Sequence, residues 1–159
     1  MKSLIDKSPR ELVFSGSCVV LLLSVFLPYM DIVVTYNGVL SERTFSIFPS
    51  LTGFAMIIIA VLGVLMILAG YRKRVLFLGL ANALLFMIRQ YLDRSAATNF
   101  QHNIDTINQM ENIMLNVNKD SVVEWSYMSG YYWMITATIL LVCIGAWCFY
   151  DRKEEDQED

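Results

Sequence analysis

Residues 51–69, LTGFAMIIIAVLGVLMILA, form a run of nineteen residues without a charge, and the basic segment YRKR, residues 71–74, follows it almost at once. At about 1.5 Å per residue, a helix of this length covers roughly the 30 Å hydrocarbon thickness of a bilayer. Arg and Lys beside a span are typical of its cytoplasmic end. The stretch therefore predicts a membrane-spanning helix that runs towards the cytoplasm and fixes the orientation of the remaining chain.

The composition is too apolar for a soluble domain. Of the 159 residues, 56% are hydrophobic and 17% are charged, and the chain is too short for both a helical bundle and a separate globular domain. The net charge of -3 says little, because six of the fifteen acids lie in residues 151–159. We interpret residues 1–150 as one membrane domain and residues 151–159 as a disordered acidic cytoplasmic tail.

Three further apolar runs have the length of a spanning helix, so that the predicted spans are residues 12–30, 51–69, 75–92 and 131–150. Together they predict an all-α integral membrane protein, an antiparallel bundle of four transmembrane helices. The first run lacks a small-residue cleavage site, and we expect it to be retained as a helix and not removed as a signal peptide.

Basic residues predict the side on which each loop lies. Eight cations fall on the side of both termini, whereas the two loops on the other side hold three: Arg43, Arg94 and Lys119. An excess of Lys and Arg marks the cytoplasmic side of a membrane. We therefore expect a multi-pass protein of the plasma (inner) membrane with its N- and C-termini in the cytoplasm.

The first outer loop carries a hairpin pattern. β-branched and aromatic residues flank Asn37-Gly38 on both sides, and Asn-Gly is favoured where a two-residue turn needs positive φ at both positions. Residues 31–48 therefore predict an extracytoplasmic β-hairpin. With a two-residue turn, Tyr36 faces Val39, Val34 faces Ser41 and Ile32 faces Arg43.

The second outer segment, residues 93–128, is longer than a connector requires. Phe100, Ile104, Ile107 and Met114 fall on one helical face, interrupted by Glu111. We predict an amphipathic helix over about residues 96–117, which lies over the hairpin or along the membrane surface.

The chain contains few residues of the types that catalyse reactions or bind metal ions and cofactors. An enzyme would need a nucleophile with a base, paired carboxylates or a metal cluster, and the chain has one histidine, His102, and three cysteines that all lie in apolar runs. No catalytic, cofactor or metal site is expected, and no nucleic-acid partner.

Three polar side chains lie within or beside the predicted spans. Arg89 lies near the outer end of the third span, where Asp93, one turn further, or Asp31, at the end of the first span, could pair with it; gating or partner recognition is the alternative role. Asn82 lies deeper in the third span, and we expect it to form an interhelical hydrogen bond.

The order of elements resembles the claudin-like tetraspan architecture: a span, an outer hairpin segment, two spans joined by a basic inner loop, an outer helical segment, a fourth span and a charged tail. The resemblance is one of topology and covers nearly the whole chain. Residues 31–50 contain neither the Trp nor the two Cys that claudins carry in this loop, so junction formation is not implied. The layout is also similar to that of small bacterial membrane protein families.

The leading expectation is a non-enzymatic binding protein that recognises a protein partner, in the bilayer or outside it, as an accessory subunit of a membrane complex. The alternatives are an immunity protein that neutralises a membrane-inserting toxin, and a subunit of a small oligomeric channel, for which a homo-oligomer would be required. The candidate partner-binding residues lie on the hairpin and the outer helix: Tyr36, Arg43, Phe100, Ile104, Ile107 and Met114.

Overall fold

The structure is a computed structural model that describes residues 8–36, 39–71, 74–115 and 122–155. Over these residues the protein forms four helices and three strands. In sequence order they are α1 (Pro9–Ser24), β1 (Pro28–Tyr36), β2 (Val39–Ser46), α2 (Leu51–Leu68), α3 (Val75–Leu115), β3 (Val122–Tyr127) and α4 (Ser129–Glu155).

The helices form the predicted four-helix bundle, in which α1 and α3 each pack against both α2 and α4. Its core is made of fully buried apolar side chains, among them Phe14, Leu21, Met56, Met134 and Leu141. Within the part of the chain that the structure describes, three helical stretches are long and apolar enough to cross a membrane: Leu51–Leu68, Val75–Met110 and Ser129–Tyr150. With 16 residues, α1 is shorter than these.

The first predicted span, residues 12–30, was wrong at its end, because α1 stops at Ser24 and Pro28 already begins β1. The Ser24 hydroxyl donates to the carbonyl of Leu21 at this helix end. Pro28 has no backbone N–H to donate and would interrupt a helix. The residues that follow it pair instead with strands on both sides, which satisfies their backbone groups.

The third span and the outer helix were predicted as separate elements, and they are one helix. α3 runs for 41 residues without a break. Residues 93–95, Asp-Arg-Ser, contain neither Gly nor Pro, and Arg89 and Asp93 form an ion pair between successive turns across the expected boundary. Asn116 and Val117, the predicted end of the outer helix, lie outside the described residues.

Residues 151–155, which were predicted to belong to a disordered tail, are helical. α4 continues to Glu155, because Arg152, Lys153 and Glu154 favour a helix and extend one that is already formed. Residues 156–159 of the predicted tail lie outside the described residues.

The hairpin prediction is confirmed in register: Tyr36 pairs with Val39, Val34 with Ser41 and Ile32 with Arg43. Its turn residues, Asn37 and Gly38, lie outside the described residues. A third strand, β3, was not predicted; it pairs antiparallel with β1, which makes β1 the central strand in the order β2-β1-β3. The sheet lies where α1 ends and where α2 and α4 begin, and we call this the sheet end of the bundle.

Close backbone approach brings α3 and α4 together. A Cβ atom at Gly79 would lie 2.9 Å from the backbone oxygen of Leu141, and one at Gly145 would lie 3.0 Å from the Cα atom of Leu76. Glycine at both positions lets the backbones of the two helices approach each other closely, as small residues do in packed membrane bundles.

Candidate functional site

The two faces of the sheet differ in polarity. Side chains alternate along a strand, and directly paired residues of antiparallel strands share a face. Ile32 is paired with Arg43 on one side and Trp125 on the other, so these three lie on one face. Asp31, Val33 and the residues paired with them lie on the other face. The first face is mainly apolar, with Met30, Ile32, Val34, Phe45, Val123 and Trp125.

The apolar face lies opposite the projecting part of α3. From Asp93 to Leu115 this helix runs about 33 Å beyond the level of the polar network described below. A cleft of about 230 Å³ between the two elements is lined by Ile32, Val123 and Trp125 of the sheet and by Ala96, Ala97 and Phe100 of α3, with Met30, Asp93 and Gln101.

A second cleft of about 350 Å³ adjoins the first, and the two share Ile32 and Phe100. It is lined in addition by Val34, Ser41, Arg43 and Phe45. We call the two clefts together the groove: its sheet wall is Ile32, Val34, Arg43, Phe45 and Trp125, and its helix wall is Ala96, Ala97 and Phe100.

The groove leaves large apolar side chains open to solvent. Phe45, Phe100 and Trp125 are each 43% exposed. An isolated apolar side chain on a surface is ordinary, but a contiguous concave apolar patch is typical of binding sites. Both walls of the groove are therefore suited to contact with another apolar surface.

A polar network closes the foot of the groove. Arg89 holds the Asp93 carboxylate through two contacts, 3.1 Å from Nε to Oδ2 and 2.9 Å from Nη2 to Oδ1. The Tyr29 hydroxyl donates to the same Oδ2 over 3.0 Å. Asp93 is 5% exposed and Tyr29 1%, and an ion pair this deep is held together by such additional hydrogen bonds.

Gln90 extends this network to the third strand. Its Nε2 donates to the Tyr29 hydroxyl over 2.6 Å, and its Oε1 accepts from the Tyr127 hydroxyl over 3.2 Å. The Tyr127 ring stacks on Tyr131 at 4.0 Å between centroids, and Tyr29 meets both rings edge to face. β1, β3, α3 and α4 are thus joined at one point.

Burial changes the acidity of two of these tyrosines. Burial raises the pKa of the Tyr29 hydroxyl well above its ordinary value, and the negative charge of Asp93 raises it further. Burial likewise raises the pKa of Tyr127, with Tyr131 and Asp93 as smaller causes. Both hydroxyls therefore keep their protons at neutral pH and act as the donors that the network requires.

The expectation that Asp31 ends the first span was wrong. Asp31 lies within β1 on the face away from the groove, where it accepts a hydrogen bond from Thr44 over 3.3 Å. Of the two carboxylates considered for Arg89, the partner is Asp93.

Asn82 lies inside the bundle and away from the groove. It is fully buried and donates from Nδ2 to Thr138 Oγ1 over 2.9 Å, which joins α3 to α4. Within the described part of the protein its Oδ1 has no hydrogen-bond partner, and neither does Ser15 Oγ.

The structure brings together two of the six predicted partner-binding residues, Arg43 from the hairpin and Phe100 from α3. Ile104 and Ile107 follow Phe100 at helical spacing on the same side of α3, beyond the residues that line the groove; Ile107 is exposed. The side chains of Tyr36 and Met114 lie outside the described part of the structure.

Sequence reasoning missed Phe45 and Trp125. The alternation of apolar and polar residues in residues 122–127 was the available signal for the strand that carries Trp125. For Phe45, the pairing with Met30 puts its side chain on the same face as Arg43.

Metal-binding groups are separated in this fold. Among the described residues, no three His, Cys, Asp or Glu side chains lie close enough together to hold a metal ion. His102 is exposed on α3, Cys18 and Cys148 are buried, and Cys143 is exposed.

No protein-family model matches this protein, and no curated protein matches it in sequence.

Proposed function

We propose that this is a non-enzymatic plasma-membrane protein that binds a segment of a partner protein in the groove. The single observation that carries the proposal is the groove itself, in which Phe45, Phe100 and Trp125 remain 43% exposed on two facing walls. Aromatic side chains in a concave surface are the usual anchors of protein interfaces.

The exterior of the helices supports insertion in a bilayer. Exposed apolar side chains occur on all four helices, for example Leu23, Ile58, Leu84 and Ile139. Such a surface is favourable in lipid and unfavourable in water.

The basic residues support an orientation with the groove outside the cytoplasm. Arg10 and Arg74 lie at the end of the bundle opposite the sheet, where they contact the rings of Trp147 and Tyr71 at 4.7 and 5.1 Å. Trp and Tyr rings are favoured at both membrane interfaces, whereas an excess of Lys and Arg marks the cytoplasmic one, and eight cations in the sequence belong to the side of Arg10 and Arg74. The sheet and the groove then face the extracytoplasmic side.

The position of the groove favours a partner that itself lies in the membrane. The groove begins at Asp93, at the sheet end of the bundle, so a segment leaving the bilayer nearby would enter it directly. An accessory subunit of a membrane complex is the form we favour; an immunity protein that holds a membrane-inserting toxin would use the same surface.

The channel alternative receives less support. The polar residues that would line an oligomeric pore include Ser15, Ser17, Ser24, Asn82 and Thr138, and all five are buried inside the single bundle. Thr136 on α4 is a sixth polar residue that could line such a pore, and its side chain is exposed. Polar groups that point inward cannot line a pore between copies without repacking of each bundle.

Co-purification after crosslinking in cells tests the proposal. The full-length protein is compared with Phe100→Asp in the groove and with Leu40→Asp, which changes an exposed apolar side chain on the other face of the sheet. We expect a partner that crosslinks to the wild type and to Leu40→Asp and is lost with Phe100→Asp, because a buried carboxylate disrupts an apolar contact. Equal recovery with all three proteins would contradict the proposal.

A further inference from the structure

Arg43 is the charged side chain of the groove that lacks a carboxylate of its own. It lies with Ile32, Val34, Phe45 and Phe100 around it. Among the described residues, no carboxylate oxygen lies within 4.0 Å of its guanidinium group, although ion pairs at that distance are found elsewhere in the same structure.

The nearby acids are directed elsewhere. Glu42 and Glu124 pair with Val33, which puts them on the opposite face of the sheet. Asp31 is on that face too and is bonded to Thr44. Asp93 lines the foot of the groove, but its two oxygens are held by Arg89 and Tyr29.

On the basis of the proposed function, we infer that the groove binds an apolar segment of a partner protein that carries one carboxylate, and that this carboxylate pairs with Arg43. This carboxylate belongs either to an Asp or Glu side chain or to the C-terminus of the partner protein.

Desolvation gives the physical reason. When an apolar segment covers the groove, Arg43 loses contact with water, and a buried charge without a counter-charge is strongly unfavourable. A carboxylate restores the balance and can accept two parallel hydrogen bonds from the guanidinium fork. A cationic segment would meet like charge, so Arg43 also excludes wrong partners.

The apolar side of α3 continues beyond the groove, and its length favours a protein over a lipid as the occupant. Phe100, Ile104 and Ile107 share one side of α3, and Ile107 lies roughly 21 Å along the axis from Asp93. The headgroup layer of a bilayer is only about 5–8 Å thick. A lipid anion could reach the foot of the groove, but not the apolar residues above it.

Synthetic peptides test the inference with the full-length protein in nanodiscs of neutral lipid. Three amphipathic peptides are identical except for one central residue, which is Glu, Gln or Lys, and each is labelled for fluorescence anisotropy. We expect the Glu peptide to bind at least about tenfold more tightly than the Lys peptide. A tenfold difference in affinity corresponds to about 1.4 kcal/mol, and close charge pairs at protein interfaces contribute at least this much binding free energy.

Charge reversal supplies the specific control. Arg43→Glu is expected to reverse the order of the Glu and Lys peptides, and Arg43→Gln to remove the difference between them. Arg74→Glu makes the same charge change at the opposite end of the bundle and is expected to leave the order unchanged. A melting curve for each variant establishes that it is folded.

Four results would overturn the inference. Equal binding of the three peptides would refute the carboxylate and leave the groove as a binding site. An Arg43→Glu variant that keeps the order of the wild type would assign the preference to another cation. Displacement of the Glu peptide by a soluble anionic phospholipid with short acyl tails, dependent on Arg43, would make a lipid the occupant. Failure of every peptide to bind, while partner crosslinks still depend on Phe100, would refute this occupant without refuting the proposed function.

Discussion

Tyr29, Arg89 and Asp93 determine how the sheet meets α3. Tyr29 belongs to the central strand, and the other two residues are one turn apart on the helix. Their contacts of 2.9 to 3.1 Å join the two walls of the groove at its foot. This network holds the two walls of the groove at a fixed position relative to each other. The entropy lost when a partner orders the groove is therefore smaller.

Replacing Arg89 by Ala should lower the stability of the protein in detergent. The change leaves the Asp93 carboxylate, which is 5% exposed, with Tyr29 as its remaining donor. Because Arg89 itself is 22% exposed, we expect a loss of about 2 kcal/mol, below the value for a fully buried pair. Reversible chemical unfolding measures it. In a double-mutant cycle with Asp93→Asn, the double variant should lose less than the sum of the single losses; strict additivity would show that the pair is not coupled.

The raised pKa of Tyr29 predicts a loss of stability at alkaline pH. An unfolded tyrosine releases its proton near pH 10, whereas the folded protein holds this proton to higher pH because of burial and the Asp93 charge. The titration of Tyr29 therefore leaves the free energy of unfolding independent of pH below about pH 10 and makes it decrease as the pH rises above that value.

Unfolding measured on both sides of pH 10 checks this prediction. Tyr29→Phe should be less stable than the wild type at neutral pH and should show a shallower alkaline decline. Tyr132→Phe is the matched control, since Tyr132 is 60% exposed, and its decline should be that of the wild type. The same slope for Tyr29→Phe and wild type would contradict the assignment.

At the scale of elements, α3 and α4 depend on glycine at their contact. Gly79→Ala should destabilise the bundle by about 1–3 kcal/mol, because the new methyl group would lie 2.9 Å from the Leu141 backbone and the helices must separate. Gly16→Ala makes the same change within α1, where a Cβ atom has nothing within 4 Å. There we expect a gain of about 0.5–1 kcal/mol from helix propensity. Equal effects at the two positions would refute close packing as the cause.

Most of the elements could be predicted from the sequence, because their signals are local. The uncharged run that contains Leu51–Leu68 specifies a helix by its length, and Asn37-Gly38 specifies the hairpin register. The boundary between α1 and β1 could not be placed, since the apolar residues before Asp31 suit a helix and a strand equally. The position of this boundary depends on the pairing of β1 with β3, a strand that lies about ninety residues later in the sequence.

The candidate site was predictable only in part, for the same reason. Arg43 and Phe100 were identified from patterns within their own segments, and the sequence offered no information that they share one groove. Trp125 was missed because the only element predicted within residues 93–128 was the helix over about residues 96–117, so that the strand β3 was not foreseen. The partner of Arg89 was narrowed to two carboxylates, and one of them, Asp93, lies at the favourable helical spacing.

The whole molecule combines a four-helix bundle with a groove that is attached to it through β1, β3, α3 and α4. The groove is formed by three separate segments of the sequence: the hairpin, which joins α1 and α2 within a few residues at each end, α3 itself, and β3, which runs directly into α4. In the membrane orientation that we propose, a surface attached in this way would keep its distance from the bilayer and its orientation towards neighbouring proteins. This arrangement suits recognition of another membrane protein better than capture of a soluble one.

The most direct test is a photo-crosslinking amino acid placed in living cells at two neighbouring positions of β3. Trp125 lies on the groove face and Glu124 on the opposite face, and both are exposed. We predict that the probe at position 125 crosslinks to one defined partner and that the probe at position 124 does not. Crosslinking of the same partner from both positions, or from 124 alone, would contradict the central claim that the groove is the binding site.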